Sequence, residues 1–136
     1  MTAITLELDV LHGAFACARL GPGEPVPAWA TDTELCSVTR TAHELSIICP
    51  AAQVPDAVRS EGPLRAYALR GPLDFGAVGT LAALAAPLAA AGIPILTIST
   101  FDTDLLLVSQ DDDQRARDTL TQAGYAFPDA QPRRVG

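Results

Sequence analysis

Basic residues and cysteines are both scarce in this 136-residue chain, and each shortage excludes a class of function. Nine lysines and arginines stand against sixteen acids, and two of the nine, Arg133 and Arg134, lie at the end of the chain. The remainder form no basic stripe along which a phosphate backbone could bind. A formal net charge of -7 also disfavours an anionic membrane surface. We therefore expect neither nucleic acid nor a membrane as a partner.

The three cysteines, Cys17, Cys36 and Cys49, are widely spaced and lack the Cys-x-x-Cys pattern of a zinc site. Each lies among apolar residues of a predicted strand, which is typical of small buried side chains in a reducing compartment. The N-terminus lacks the basic segment and the long apolar segment of a secretory signal. These features predict a cytoplasmic protein that uses no metal and no cofactor.

The motifs of common enzyme classes are missing as well. The chain contains no Gly-x-Ser-x-Gly elbow, no Gly-x-x-x-x-Gly-Lys phosphate loop and no convincing Cys–His pair. Asp102 and Asp104 are a pair of carboxylates suited to acid–base work, but no second catalytic element accompanies them. We expect a protein that is not an enzyme, and we assign no catalytic residue.

An apolar share of 49% with 18% charged residues is typical of a compact globular fold. Residues 75–101 carry no charge and are long enough to span a bilayer. The turn Gly92-Ile93-Pro94 splits this stretch into a helix and a short strand, neither of which spans alone. We interpret both pieces as parts of the globular fold.

The informative feature of the chain is an internal repeat. Val38–Ile48 matches Ile98–Val108 in apolar, hydroxyl and acidic classes at an offset of sixty residues, which places His43 opposite Thr103. Upstream, residues 20–22 match 70–72 at an offset of fifty, so the second copy has ten additional residues that we predict to be helical. The repeat predicts two copies of one supersecondary unit.

Alternating apolar residues and turn residues predict the elements of each copy. The first copy has predicted strands at Ile4–Val10, Phe15–Leu20, Leu35–Arg40 and Glu44–Cys49, with short helical turns near 28–32 and 50–58. The second has a strand at Leu64–Arg70, a helix near Phe75–Ala91, strands at Ile93–Ser99 and Asp104–Ser109, and a helix at Asp111–Ala123. Asp74 is the predicted N-cap of the first helix and Gly92 its stop. The predicted domains are 1–62 and 63–127, followed by a flexible tail at 128–136.

Residues 105–108 are apolar on both faces of their predicted strand, whereas the helices of one βαββα layer cover a single face. We therefore expect the second face to pack on the other copy or on another subunit, and we predict a homodimer. The first copy lacks a full helix, and its leftover strand, Ile4–Val10, is a candidate to complete the sheet of the other copy.

Three segments in order, Tyr67–Phe75, Pro87–Ile95 and Ser99–Asp104, resemble the ACT-domain amino-acid sensors. More narrowly, they resemble the paired-ACT family that includes the eukaryotic cytosolic arginine sensors (CASTOR proteins) and small bacterial relatives. The resemblance covers residues 64–109 well and 35–62 less closely. It implies an α+β fold of ferredoxin-like βαββα modules in tandem, with antiparallel sheets and helices on one face. It also implies amino-acid binding between modules and no catalysis.

A site for a free amino acid needs oriented N–H donors for the carboxylate, beside hydroxyls or an acid for the ammonium group. The turn after the strand at 64–70 offers the donors, and the hairpin near residue 101 offers the acceptors, with Asp104 as the preferred ammonium partner. The candidate ligand residues are Gly71, Pro72, Leu73, Asp74, Phe75, Ser99, Thr100, Phe101, Asp102 and Asp104. Purely structural roles for Gly71, Asp74 and Asp102, as turn, cap and hairpin residues, remain alternatives.

The sequence thus predicts a non-catalytic regulatory protein that binds a small molecule, with an amino acid as the expected ligand. One alternative is a module of the same fold that serves protein association without a ligand. A less favoured alternative is a small acylphosphatase-like hydrolase, whose phosphate-cradling loop needs an arginine. The loop at 71–76 instead contains Asp74, and Arg70 lies just outside it.

Overall fold

The computed structural model describes residues 6–71 and 78–128 of the chain. Its strands are β1 (Leu8–Val10), β2 (Phe15–Leu20), β3 (Ser37–Arg40), β4 (Leu45–Pro50), β5 (Ser60–Leu69), β6 (Leu96–Ser99) and β7 (Asp104–Ser109). The helices are α1 (Thr80–Ala90) and α2 (Asp113–Gln122), with single 3-10 turns at Ala28–Ala30, Ala51–Gln53 and Gln110–Asp112. All strand pairs are antiparallel and form one sheet in the order β3-β4-β2-β5-β7-β6, with β1 added beside β5. The predicted α+β class is confirmed.

The ten-residue strand β5 is shared by the two halves of this sheet. Its C-terminal half lies between β1 and β7, because Tyr67 is opposite Val10 on one edge and Leu106 on the other. Its N-terminal part pairs with β2 on the same edge as β1. The leftover strand of the first copy therefore completes the sheet of the second copy, as the sequence suggested.

Strand β5 also runs through Gly62-Pro63, where the sequence predicted the end of the first copy. Residues 62 and 63 lie opposite the single residue Ala16, since Leu64 pairs with Phe15 and Glu61 with Cys17. Such a bulge accommodates a proline, which has no N–H to donate to the ladder. A Cβ atom on Gly62 would lie 3.0 Å from the Phe15 carbonyl oxygen, so a glycine fits this close approach.

The repeat exists in the structure, but its predicted offset is wrong by one residue. In the first hairpin Arg40 pairs with Leu45, and in the second Ser99 pairs with Asp104, so equivalent positions are 59 residues apart. His43 is therefore equivalent to Asp102 and not to Thr103. A one-residue shift matters because it moves every side chain of a strand to the other face.

The helices and 3-10 turns pack on one face of the sheet. Under α1 and α2 lies a buried cluster that includes Tyr67, Leu106, Leu84, Leu88 and Leu120. In the first half, the 3-10 turns replace the helices over a smaller cluster of Ala30, Leu45, Ile47 and Cys49. The three cysteines are free thiols.

The second face carries its own buried cluster, which includes Phe15, Leu64, Ala66, Leu105 and Leu107. Leu107 is fully buried and Leu105 nearly so within the single chain. The chain therefore covers this face itself with residues of both copies, so of the two expected alternatives, the other copy or another subunit, a second subunit is not needed to cover it. The reason is that loop and neighbouring-strand side chains, such as Leu35 and Ile98, pack against the cluster.

The second copy begins its helix later than predicted. Helix α1 starts at Thr80 with Gly79 as its N-cap, so residues 78–79 of the predicted helix are not helical, and the predicted start near Phe75 with its Asp74 cap lies outside the described residues. Its end agrees with the prediction, because Gly92 has a positive φ of 74° after the last turn. Neither described helix combines the length and apolar character needed to cross a membrane.

Candidate functional site

The end of β5 and the β6–β7 hairpin meet at one end of the sheet. The hydroxyl Oγ1 of Thr103 donates a hydrogen bond of 2.5 Å to the carbonyl oxygen of Leu69. Strand β5 ends at Leu69, and Gly71, two residues later, is exposed. Gly71 is the one described residue of the first predicted corner, so the structure places the start of that corner beside the hairpin, and residues 72–76 lie outside the described residues.

The hairpin holds its shape through Thr100. The Thr100 amide donates to the Thr103 carbonyl at 2.8 Å, and the Thr103 amide donates to Thr100 Oγ1 at 3.1 Å. Thr41 makes the same arrangement in the first hairpin, where the Glu44 amide donates to Thr41 Oγ1 at 3.2 Å. Both copies thus use a threonine side chain to close the turn of the hairpin.

The tip of the hairpin presents the predicted ligand residues to solvent. Phe101 is 82% exposed, which is unusual for an aromatic side chain. Asp102 is exposed beside it, and Asp104 is half-buried opposite Ser99 at the base of the hairpin. An aromatic ring, hydroxyls and carboxylates thus lie on the hairpin that is hydrogen-bonded to the end of β5.

The structure places six of the ten predicted ligand residues at this end of the sheet. They are Gly71, Ser99, Thr100, Phe101, Asp102 and Asp104. The other four, Pro72, Leu73, Asp74 and Phe75, lie outside the described residues. The assignment of all ten to ligand binding stays a prediction.

Arg70 connects the end of β5 to β1 through ion pairs and a backbone hydrogen bond. Its guanidinium forms ion pairs with Glu7 and Asp9, and its amide donates to the Glu7 carbonyl at 2.8 Å. The sequence analysis missed this cluster, although the spacing of Glu7 and Asp9 places both carboxylates on one face of a strand. Their partner was not predictable because it lies more than sixty residues away in the chain.

A second polar cluster, formed by Tyr67, Asp113 and Arg117, connects the sheet to α2. The Tyr67 hydroxyl donates to Asp113 Oδ1 at 2.6 Å, and Arg117 donates to both carboxylate oxygens, at 3.1 and 2.6 Å. Burial, followed by the hydrogen bond to Asp113, raises the pKa of Tyr67. Burial alone would raise the pKa of Asp113, but the hydrogen bonds from Arg117 and Tyr67 outweigh it and the pKa is lowered. This cluster joins the start of α2 to β5.

In the first half of the molecule, a groove of about 280 Å³ lies beside the beginning of β5. Its lining residues belong to β2, to the loop after β4 and to β5 itself: Ala16, Ala51, Val54, Pro55, Asp56, Val58, Ser60, Gly62 and Pro63. The loop stands where the second half has α2, so the groove lies where the first half has a 3-10 turn and loop in place of that helix. Within residues 6–71 and 78–128 no three His, Cys, Asp or Glu side chains are arranged to hold a metal ion.

Comparison with known proteins gives two family matches. A family model for the ACT domain matches residues 59–122, and a model described as an N-terminal domain matches residues 13–57. None of the curated proteins compared with the chain matches it.

Three solved structures resemble the chain over most of its length. Protein Atu0741 from Agobacterium tumefaciens is 35% identical with a TM-score of 0.87, over 96% of this chain and 98% of that one. VC0802 from Vibrio cholerae, described as a protein of unknown function and a possible transport protein, is 21% identical with a TM-score of 0.72, over 88% and 91%. The aspartate kinase of Clostridium acetobutylicum, described as an allosteric enzyme, is 10% identical with a TM-score of 0.63, over 86% of this chain but 34% of the kinase. These likenesses confirm the predicted ferredoxin-like fold.

Proposed function

Because this chain belongs to the ACT-domain family, we propose that it is a non-catalytic regulatory protein that binds a free amino acid. The ligand would bind where β5 ends against the β6–β7 hairpin. The observation that supports this site is the Thr103–Leu69 hydrogen bond, which holds the hairpin beside the strand end. No sequence motif identifies the partner that such binding would regulate, because a regulatory protein acts on its partner through the shape of its surface.

The chemistry of the hairpin favours a zwitterionic or cationic ligand over an anionic one. Asp102 is a carboxylate at the tip of the hairpin and Asp104 one at its base, and Asp104 can accept a hydrogen bond from an ammonium group. Exposed Phe101 offers an apolar surface for the stem of the ligand. Backbone amides after Gly71 would receive the ligand carboxylate, as the sequence predicted.

We also propose that the two halves are intertwined ACT modules. Two facts support this: equivalent hairpins recur 59 residues apart, and β1 of the first copy pairs with β5 in the half of the sheet that belongs to the second copy. The half that contains α1 and α2 carries the proposed site. A cytoplasmic location stays a prediction from the sequence.

A thermal-shift screen against the twenty amino acids tests the proposed function. A ligand present at 100 times its Kd adds ~2.7 kcal/mol to the free energy of unfolding and raises the melting temperature by several degrees. We expect one amino acid, or a small group of similar ones, to produce this shift. No shift with any of the twenty would instead favour the association module that the sequence left open.

Substitutions then locate the site. Asp104→Ala and Gly71→Leu should each abolish the shift, because the first removes the ammonium partner and the second blocks the strand end. His43→Ala, at the equivalent of Asp102 in the first hairpin, is the matched control and should leave the shift unchanged. Binding that survives both site variants, or that His43→Ala removes, would show that the ligand binds elsewhere.

A further inference from the structure

Within residues 6–71 and 78–128, no strand pairs with one edge of β5 along Arg59–Glu61. The Arg59 carbonyl accepts a hydrogen bond of 2.9 Å from the Arg19 amide, so this peptide faces β2. Because successive residues of a strand alternate in hydrogen-bonding direction, the N–H and C=O of Ser60 face the opposite edge. Strand β7 ends at Ser109, opposite Leu64, and no other described strand covers the edge beyond it. All residues from 59 to 63 are exposed.

The chain itself shows what such an edge accepts, because the equivalent edge in the other half is occupied. Val10 pairs with Tyr67 and Ser60 pairs with Ala18, at equivalent places of the two copies, so β1 corresponds to the start of β5. On the outer edge of β1, the Leu8 amide donates to the Ala126 carbonyl at 2.8 Å, and the Ala126 amide donates to the Leu6 carbonyl at 2.9 Å. Ala126 therefore forms an isolated parallel bridge with Glu7 on the outer edge of β1, just before the equivalent of Ser60, whereas no described residue plays this role beside Ser60.

The charges along the free edge are complementary to themselves. In an antiparallel pair of two copies centred on Ser60, Arg59 of each copy lies opposite Glu61 of the other. Within the described part of the chain, neither Arg59 nor Glu61 has an ion pair of its own. Opposite charges that face each other across strands stabilise the pairing, and like charges destabilise it.

We propose that a second copy of this chain binds at this edge, so that two β5 strands pair antiparallel about Ser60. The Ser60 residues exchange reciprocal N–H···O=C hydrogen bonds, and two Arg59–Glu61 ion pairs flank them.

The other two edges of the sheet are poorer candidates. Strand β6 (Leu96–Ser99) carries no charge, so no pair of opposite charges would fix the register between two copies of it. Strand β3 has a single charged residue, Arg40, whose guanidinium already donates to the Pro22 carbonyl at 2.5 Å. Of the three edges compared, the free edge of β5 is therefore the one whose charges favour pairing with a second copy of the chain.

Charge reversal tests the interface in the full chain by sedimentation equilibrium. We expect wild-type protein to dimerise, and Arg59→Glu and Glu61→Arg each to raise the dimer dissociation constant by about tenfold or more, since both ion pairs become repulsive. The double variant R59E/E61R restores opposite charges and should dimerise within about threefold of the wild type. An equimolar mixture of the two single variants should form heterodimers, because one copy then carries two acids and the other two arginines.

Arg40→Glu on β3 is the matched control and should leave dimerisation unchanged, and circular dichroism checks that each variant is folded. Wild-type protein that stays monomeric throughout the measured concentrations would overturn the proposal. So would a dimer that is unaffected by either reversal, or single variants that fail to recombine in the mixture. These outcomes are independent of the amino-acid screen, so each proposal can fail without the other.

Discussion

Replacing Leu106 by alanine should lower the free energy of unfolding by about 2–5 kcal/mol, the range measured for buried Leu→Ala changes. Leu106 is 0% exposed and lies in the middle of β7, opposite Tyr67 on β5. Its cluster includes Leu84 and Leu88 of α1, so the cavity would open between the sheet and the helices. Because both elements are firmly packed there, we expect little collapse around the lost atoms and a large cost.

Urea unfolding followed by circular dichroism measures this cost as a change in midpoint at constant slope. Leu96→Ala on the adjacent strand is the matched control, because Leu96 is 40% exposed and contributes less to the core. We expect that control to cost less than about 1.5 kcal/mol. Similar costs for the two variants would contradict the placement of the main core beneath α1 and α2.

Asp113→Ala should cost roughly 2–3 kcal/mol at neutral pH. The substitution leaves the buried Tyr67 hydroxyl without its 2.6 Å acceptor and leaves Arg117 without its carboxylate. It also removes an acid from the first turn of α2, where a negative charge offsets the helix dipole. Asp111→Ala is the matched control, since Asp111 is exposed in the preceding 3-10 turn, and it should change stability by less than about 0.5 kcal/mol.

The same carboxylate predicts the direction of a pH effect. Its pKa is lower in the folded chain than in the unfolded one, because the hydrogen bonds from Arg117 and Tyr67 outweigh burial. The stability that it contributes is therefore complete above the pKa of an unfolded aspartate, about 3.9. It is lost as the pH falls from there through the lower pKa of the folded chain.

Urea midpoints at several pH values between 7 and 2 test this sign. The gap between wild type and Asp113→Ala should be largest at neutral pH and should shrink below about pH 4. The gap between wild type and Asp111→Ala should stay small throughout. A wild-type gap that widens toward acid pH would mean that the carboxyl is protonated more readily in the folded chain than in the unfolded one.

The two proposals use opposite ends of one strand. The proposed ligand site lies where β5 ends, beyond Leu69, and the proposed subunit edge lies where it begins, at Arg59–Glu61. Strand β5 is anchored between these ends by β1, β2 and β7. The site is thus built on a rigid element, which suits a binding protein that needs preorganised contacts.

Local patterns predicted most strands because they depend only on neighbouring residues. Phe15–Leu20 and Asp104–Ser109 were predicted with the bounds that the structure has. The register of the repeat was not predictable in the same way. Leu105–Val108 is apolar at four successive positions, so it matches the alternating pattern of β4 equally well at either of two offsets. Only the strand partners in the structure show that the offset between the two copies is 59 residues and not 60.

The sequence by itself determined the α+β class, the repeat and the hairpins, because periodicity, turn chemistry and composition are local properties. Tertiary structure alone decided which strands pair across β5, that the chain continues as a strand through Gly62-Pro63, and that Arg70 joins Glu7 and Asp9. It also decided that Tyr67 and Arg117 converge on Asp113, and that the edge at Ser60 stays unpaired in the described chain. These features depend on contacts between residues far apart in the chain, and such contacts leave no periodic signal in a single sequence.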